Sequence, residues 1–474
     1  MTTLDRVISN RNCIGCGACA AAFPDTLSMM LDEEGHWLAN ARQDEPSAKV
    51  REVAGQTVCP MSGATDDETE IASSLYPELP ADDRIGRYRR NLVGHVATGR
   101  FREAGSSGGL VTWLLETLLA RGLVDAVLHV HPSPETAPDD LLFRYGISRN
   151  PEQVRTGAKS RYYPIHMADA LRQVMEQEGH YAVVGTPCFI KAVRLLEQSG
   201  HIPEGHVRFT VGLVCGHLKS RYFGEYLAWQ KGAPPGKVEA IDFRRKLFDR
   251  KASDYGFAFR EVGSAVEQSY PMSSVHGRDW GEGLFKNPAC EYCDDVLAEC
   301  ADIAIGDAWL PGHVEDPRGT NIVVVRSSAL DEILAAAERD GDLLMTETDP
   351  DTIAKSQDPG LRHRRRGLMH RLARRVEAGQ WAPRKRVPPE LESSPSRRKV
   401  YDLRLRIALE SSAVFADARN SGDLGQFQEQ MAPLLAQYHA VSRISLARRT
   451  VRKLRSWLAR ARQQLRPRLS AAPA

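Results

Sequence analysis

Nine cysteines stand at positions 13, 16, 19, 59, 188, 215, 290, 293 and 300 of a 474-residue chain. Their spacing carries more information than their number. Cys13, Cys16 and Cys19 form a C-x2-C-x2-C triplet, and Cys290 and Cys293 form a C-x-x-C pair. Two intervening residues let neighbouring sulfurs turn to one side and share a metal centre. The opening "MTTLDRVISN" has no apolar leader core, which argues against an exported disulfide scaffold. The thiols therefore read as metal ligands or redox groups.

A bacterial ferredoxin run would place a fourth cysteine four positions after Cys19, followed by proline. Pro24 is present, but Phe23 occupies the ligand position. In two-cluster ferredoxins that fourth cysteine serves the other cluster, and a distant Cys-Pro completes each triplet. Cys59, followed by Pro60, suits that role. The expectation is one 4Fe-4S cluster on Cys13, Cys16, Cys19 and Cys59, in a small ferredoxin-like α+β unit over residues 1–75. Zinc on the same thiolates is the alternative, although zinc sites favour paired C-x-x-C units. Gly15 and Gly17 suit a tight ligand loop whose N–H groups turn toward sulfur.

The second set is less explicit. Cys188 in "GTPC" and Cys215 in "GLVC", taken singly, read as small buried hydrophobes. Cys290 and Cys293 change that reading, because a C-x-x-C pair needs two further ligands.

Elements must hold these residues. "LVTWLLETLLARG" repeats apolar residues at helical spacing over 110–119 and closes at Gly122. "VDAVLHV", "YAVVGTP", "FTVGLVCG", "ADIAIGDAW" and "NIVVVRS" are short β-branched runs bounded by turn residues and predict strands. The alternation predicts a mixed α/β body, with parts over 76–175 and 176–350. "SGATDDETEIASSLYPELPADDRIG" is polar and acidic and reads as a linker. The longest apolar stretch is cut by Glu116, Arg121 and Asp125, so no membrane span is expected and a cytoplasmic location is.

The formal net charge of +2 conceals an asymmetry. Residues 361–474 hold 26 Lys/Arg against 8 Asp/Glu, and the first 360 hold 37 against 53. The tail reads as basic helices joined by "APRKRVPPELESSPS". Ile444, Ala447, Val451, Leu454, Leu458, Ala461 and Leu465 recur at steps of three and four, an apolar stripe set among arginines. Such a helix suits the acidic body or a protein partner; an anionic membrane surface is the alternative, as a peripheral contact. With few interleaved aromatics, nucleic acid is not expected.

The ordered motifs "GSSGGLVTWLLETLLARGLVDAVL", "GAKSRYYP", "VVGTPC", "GLVC", "CEYC" and "ADIAIGDAW…GTNIVVVR" resemble the family of coenzyme F420 hydrogenase/dehydrogenase beta subunits over residues 88–330. The resemblance implies a flavin/iron–sulfur oxidoreductase with two 4Fe-4S clusters and FAD, the second cluster on Cys188, Cys215, Cys290 and Cys293. Cys300 falls where the family carries an apolar residue and is read as packed. The same resemblance implies FAD binding by the "GSSGG" loop (Ser106, Ser107, Gly108, Gly109), Lys159 and Asp307, with Gly306, Asn321 and Arg326 at matching positions. A glycine-rich helix start can approach an anion closely, although most such starts are plain turns. Coenzyme F420 is the family-typical hydride carrier. The implied partners are that carrier and a redox protein or ferredoxin. A second reading is an electron-transfer component linking ferredoxin to a partner enzyme, for instance in polysaccharide biosynthesis. No catalytic residue is assigned.

Overall fold

Successive side chains of a strand point to opposite sheet faces, and this explains how the apolar runs build two cores at once. The computed structural model describes residues 1–41, 48–133 and 141–442. The stripe from Ile444 to Leu465 lies outside the described residues.

The N-terminal unit pairs β1 (Leu27–Leu31) with β2 (Trp37–Ala41) in antiparallel register. Helix Thr3–Ser9 precedes them, with a reciprocal cap between Thr2 and Asp5. Helix Ala48–Thr57 follows them and leads directly to Cys59. The unit shares one core with the body: Met167 N–H donates to Cys16 O at 2.8 Å, and Arg221 N–H to Gly35 O at 3.0 Å.

The expected linker is structured. Helix Glu68–Leu75 carries a capping box of Asp67 and Glu70, and a hairpin of β3 (Ala81–Asp82) and β4 (Gly86–Arg87) follows. One of its acidic residues, Glu68, serves as a buried counter-charge. Glu68 is buried 3.4 Å from Lys191 and 3.6 Å from Arg386. Tyr76 Oη donates to Asp302 at 2.9 Å. Tyr76→Phe should therefore lower stability by about 1.5–3 kcal/mol, the worth of a bond to a charged group. A thermal midpoint equal to the parent's would refute it.

The central sheet uses β5 (Arg90–Val96), β6 (Ala126–Pro132), β7 (Phe143–Ser148), β8 (Tyr181–Gly185) and β9 (Val207–Leu213). A separate three-stranded antiparallel sheet intervenes, formed by β10 (Val238–Arg245), β11 (Gly256–Glu261) and β12 (Glu267–Pro271). Three strands then return to the main sheet: β13 (Ile303–Asp307), β14 (Asn321–Val325) and β15 (Leu343–Glu347), giving the order β15-β5-β14-β13-β9-β8-β6-β7. Its heart, β13-β9-β8-β6, is parallel, and the flanking pairs are antiparallel. All five residues of β8 and of β14 are buried, as strands covered on both faces require. Ile322 and Val324 join the core with Phe189, Ile190 and the N-terminal unit. Val323 and Val325 face helix Leu110–Ala120 through Leu114 and Leu118. The mixed α/β expectation and the five anticipated strands are thus met.

A third core is aromatic. Phe223, Phe243 and Phe285 pack with Phe415 and Phe427 from the long C-terminal helices Pro395–Ser421 and Leu424–Ser442. The tail is helical as expected, and its described part docks on the body. Among the described residues no helix is long and apolar enough to cross a membrane.

Candidate cofactor sites

Cys13, Cys16, Cys19 and Cys59 line one closed cavity with Leu4, Met29 and Val58. Gly15 (φ +67) and Gly17 (φ +85) bend the ligand loop through left-handed conformations. A Cβ on Gly17 would sit 2.8 Å from Ala168 N, and one on Gly15 2.6 Å from Trp37 O. Backbone N–H groups of Gly15, Ala18, Ala20 and Met61 turn toward the sulfurs. Burial pushes the thiols up, Cys59 to about 12, and the neighbouring thiols add to the effect. Four such thiolates can coexist in a dry cavity when a cationic centre compensates them, so this donor set fits a metal cluster. Phe23, at the vacated ligand position, packs edge-on against His201.

Cys188, Cys215, Cys290 and Cys293 line a second closed cavity with Ile14, Met61, Leu218 and Arg364. Helix Pro187–Gln198 carries Cys188 in its first turn, and a 3-10 turn at Pro288–Tyr292 presents Cys290. Leu218 N–H donates to Cys290 Sγ at 3.3 Å, and Arg364 to Cys293 Sγ at 3.2 Å. Burial raises the Cys188 thiol, and the three other cysteines raise it further. Cys300 lines neither cavity. It is 1% exposed, and its Sγ lies 3.9 Å from Glu68 O.

A cavity of about 230 Å³ opens at the ends of β8, β9 and β13. That is roughly twenty times the 10–15 Å³ one water needs, room for a large organic group. Its apolar wall includes Val130, Val184, Phe189 and Ile305, and Gly105, Ser106, Ser107 and Gly109 form one rim. Lys159, Arg161, Lys219, Asp307 and Asn321 supply polar groups. Ile14 lines all three cavities, Met61 lies between the two thiol sites, and Leu218 separates the second from the large cavity.

Each rim residue is held. Ser106 Oγ accepts from Ser160 N–H at 2.8 Å, and Ser107 Oγ donates to Thr320 O at 2.8 Å. Gly108 does not line the cavity; it packs into the sheet, where a Cβ would lie 2.5 Å from Asn321 Oδ1. Lys159 has φ +82, rare for a non-glycine residue, and its ammonium lies 2.5 Å from Asp242. Asp307 is gripped by Arg244 through bonds of 3.0 and 3.1 Å. Arg326 stands apart, donating to backbone carbonyls of Ile85, Arg87, Ala298 and Ala301.

Sequence reasoning missed Arg244, Lys246 and Lys219. Arg244 also donates to Tyr162 Oη at 3.1 Å and Ser106 O at 3.3 Å, tying the rim to β13. Lys246 donates to Ser107 O at 2.8 Å, and burial beside Arg102 and Arg244 lowers it to about 7. Lys219, 2% exposed, sits over the rings of Phe223 and Trp280 at 4.5 and 4.9 Å. Burial, with Lys286 nearby, lowers it to about 7. Nothing in the run "FRRKLF" marks it as the support of a cavity.

The fold and its sites define a mixed α/β protein with two four-cysteine pockets beside a large cavity. The chain belongs to the family of coenzyme F420 hydrogenase/dehydrogenase beta subunits, whose members are components of oxidoreductases: the N-terminal family model matches residues 92–172 and the C-terminal one residues 179–351. The beta subunit of coenzyme F420 hydrogenase from Methanosarcina barkeri is 23% identical over 314 residues, covering 63% of this chain and 92% of that protein. Its counterpart from Methanothermobacter thermautotrophicus is 21% identical over 295 residues, covering 61% and 91%. A chain of the F420-reducing [NiFe] hydrogenase complex from Methanosarcina barkeri aligns with a TM-score of 0.46 and 18% identity, over 60% of this chain and 93% of that one.

Proposed function

We propose that the chain is an iron–sulfur flavoprotein that passes electrons between a hydride carrier, coenzyme F420 by analogy with its relatives, and a redox partner protein. The supporting observation is the shared wall. Eight cysteines form two closed four-thiol sites, Ile14 borders both of them and the large cavity, and Met61 and Leu218 complete the partitions. In this reading each thiol site holds a 4Fe-4S cluster and the large cavity holds FAD. When bound, FAD exchanges a hydride with the carrier and single electrons with the clusters.

The chain's own residues then do the following. Ser106, Ser107 and Gly109 form the rim for the dinucleotide. Arg244 fixes Asp307 and, with Lys246, the rim carbonyls. Lys219 and Lys159 bring positive charge to an anionic ligand, and the apolar partitions keep water from the cluster sites. The test is anaerobic analysis of iron, sulfide and released flavin, followed by reduction with reduced F420, NAD(P)H or reduced ferredoxin. Protein without flavin, or reducible by none of the three, would refute the reading.

Lys219 gives this proposal a pH signature. Its pKa near 7 leaves it cationic below that value and neutral above. FAD affinity of the flavin-depleted protein should therefore fall about tenfold as pH rises through 7, the scale of one charged hydrogen bond. Lys219→Gln should flatten the profile. A parent profile that is already flat would exclude Lys219 from binding.

A further inference from the structure

The family match ends at residue 351, yet the segment after it reaches one of the thiol sites. Arg364, the last residue of helix Asp358–Arg364, is 2% exposed and lines the second four-cysteine cavity. One guanidinium nitrogen donates to Cys293 Sγ at 3.2 Å and to Asp295 O, and the other donates to Gly216 O at 2.7 Å. Among the described residues no carboxylate pairs with it.

The rest of the extension locks this arrangement. Arg371, from helix Arg366–Glu377, reaches Glu291 Oε2 at 3.0 Å and the Glu291 carbonyl at 2.8 Å. Lys385 and Arg386 approach Asp294 at 3.6 and 3.4 Å. The loop that carries Cys290 and Cys293 is thus held from outside the matched region. The first site differs, because backbone N–H groups are the donors aimed at its sulfurs.

We propose that Arg364 is a positioning residue that sets the reduction potential of the second cluster, so that the C-terminal extension tunes electron transfer. This rests on the second thiol site holding a 4Fe-4S cluster. A cluster gains negative charge on reduction. A buried cation donating to its ligand sulfur favours the reduced form and raises the potential, since hydrogen bonds to sulfur and local charge set that quantity.

The test uses full-length protein purified anaerobically in the Cys59→Ser background, where the second cluster reports alone. Iron content and EPR-monitored redox titration are compared with and without Arg364→Gln. The expected result is four irons retained and a tenfold lower reduced-to-oxidised ratio at fixed potential, about 59 mV for one electron. Four irons with an unmoved potential would overturn the proposal, since a purely structural arginine leaves the potential of retained clusters unchanged. If Arg364→Gln loses the cluster, Arg364→Lys decides. Its compact ammonium cannot hold Gly216 and the sulfur together, so a smaller downward shift supports the proposal and the parent potential overturns it. Absence of any cluster in the Cys59→Ser protein would instead refute the reading of the second site, and this proposal with it.

Discussion

Cys59→Ser should remove about half of roughly eight irons per chain and leave the remaining cluster signal intact, whereas Cys300→Ala should leave all of the iron. The expectation follows from two walls. Cys59 closes the first cavity opposite Cys13, Cys16 and Cys19, and no other cysteine lines that cavity. Serine's hydroxyl ionises far less readily than a thiol, so the site would lose its fourth anionic ligand. Cys188, Cys215, Cys290 and Cys293 enclose a separate cavity across Ile14 and Met61, so the second centre should survive. Cys300 is more deeply buried than Cys59 but points elsewhere, toward the Glu68 carbonyl, and its own carbonyl accepts from Arg194 at 3.1 Å. Its truncation removes one sulfur from a packed core, a cost of about 1 kcal/mol. Iron analysis and EPR check both variants. Loss of iron in Cys300→Ala with full retention in Cys59→Ser would reverse the ligand assignment.

The contrast between these two cysteines shows what the sequence could tell and why. Local spacing made the triplet legible, and the proline after Cys59 marked its distant partner. Cys188 and Cys215 carry no such mark; they meet the C-x-x-C pair because β8 and β9 are parallel neighbours that end together. The five central strands were readable because strands buried on both faces become continuous β-branched runs. β5, β7 and β15 were not, since "RNLVGHV", "FRYGIS" and "LLMTE" mix charged or polar residues into short segments. β10 interleaves charge with apolar residues, so the sequence does not distinguish Arg244, the buried clasp on Asp307, from its neighbours. Charge also misled at residues 62–86, where one of the acidic residues that suggest a solvated linker, Glu68, neutralises the buried bases Lys191 and Arg386. The asymmetry between acidic body and basic tail was visible in the composition. Which cation meets which carboxylate was not, because those pairs join separate segments that only the fold brings together.

One such meeting should dominate the stability of the chain. Glu291, between the two cysteines of the C-x-x-C pair, is fully buried. Burial alone would raise its carboxyl, but Lys286, Arg371 and His363 outweigh that and hold it well below the usual carboxylate range. Lys286 Nζ lies 2.6 Å from it, and His363 Nε2 and Arg371 Nε each lie 3.0 Å away. Glu291→Gln keeps the shape and removes the charge. It would leave Lys286 and Arg371 as buried cations without their anion, and breaking a buried pair in this way costs about 3–5 kcal/mol. Replacing all partners together would cost less, because no orphaned charge remains. Glu291→Gln should therefore lower the thermal midpoint more than Tyr76→Phe. It should also make the segment after residue 357 more open to limited proteolysis, since Arg371 and His363 are two of its anchors on this loop, beside Arg364, Lys385 and Arg386. Adding Lys286→Met and Arg371→Met should recover part of the lost stability. If Glu291→Gln melts with the parent and its tail stays protected, the Glu291 network contributes no net stability, and the aromatic contacts of Phe415 and Phe427 with the pairs of Lys385 and Arg386 hold the extension in place.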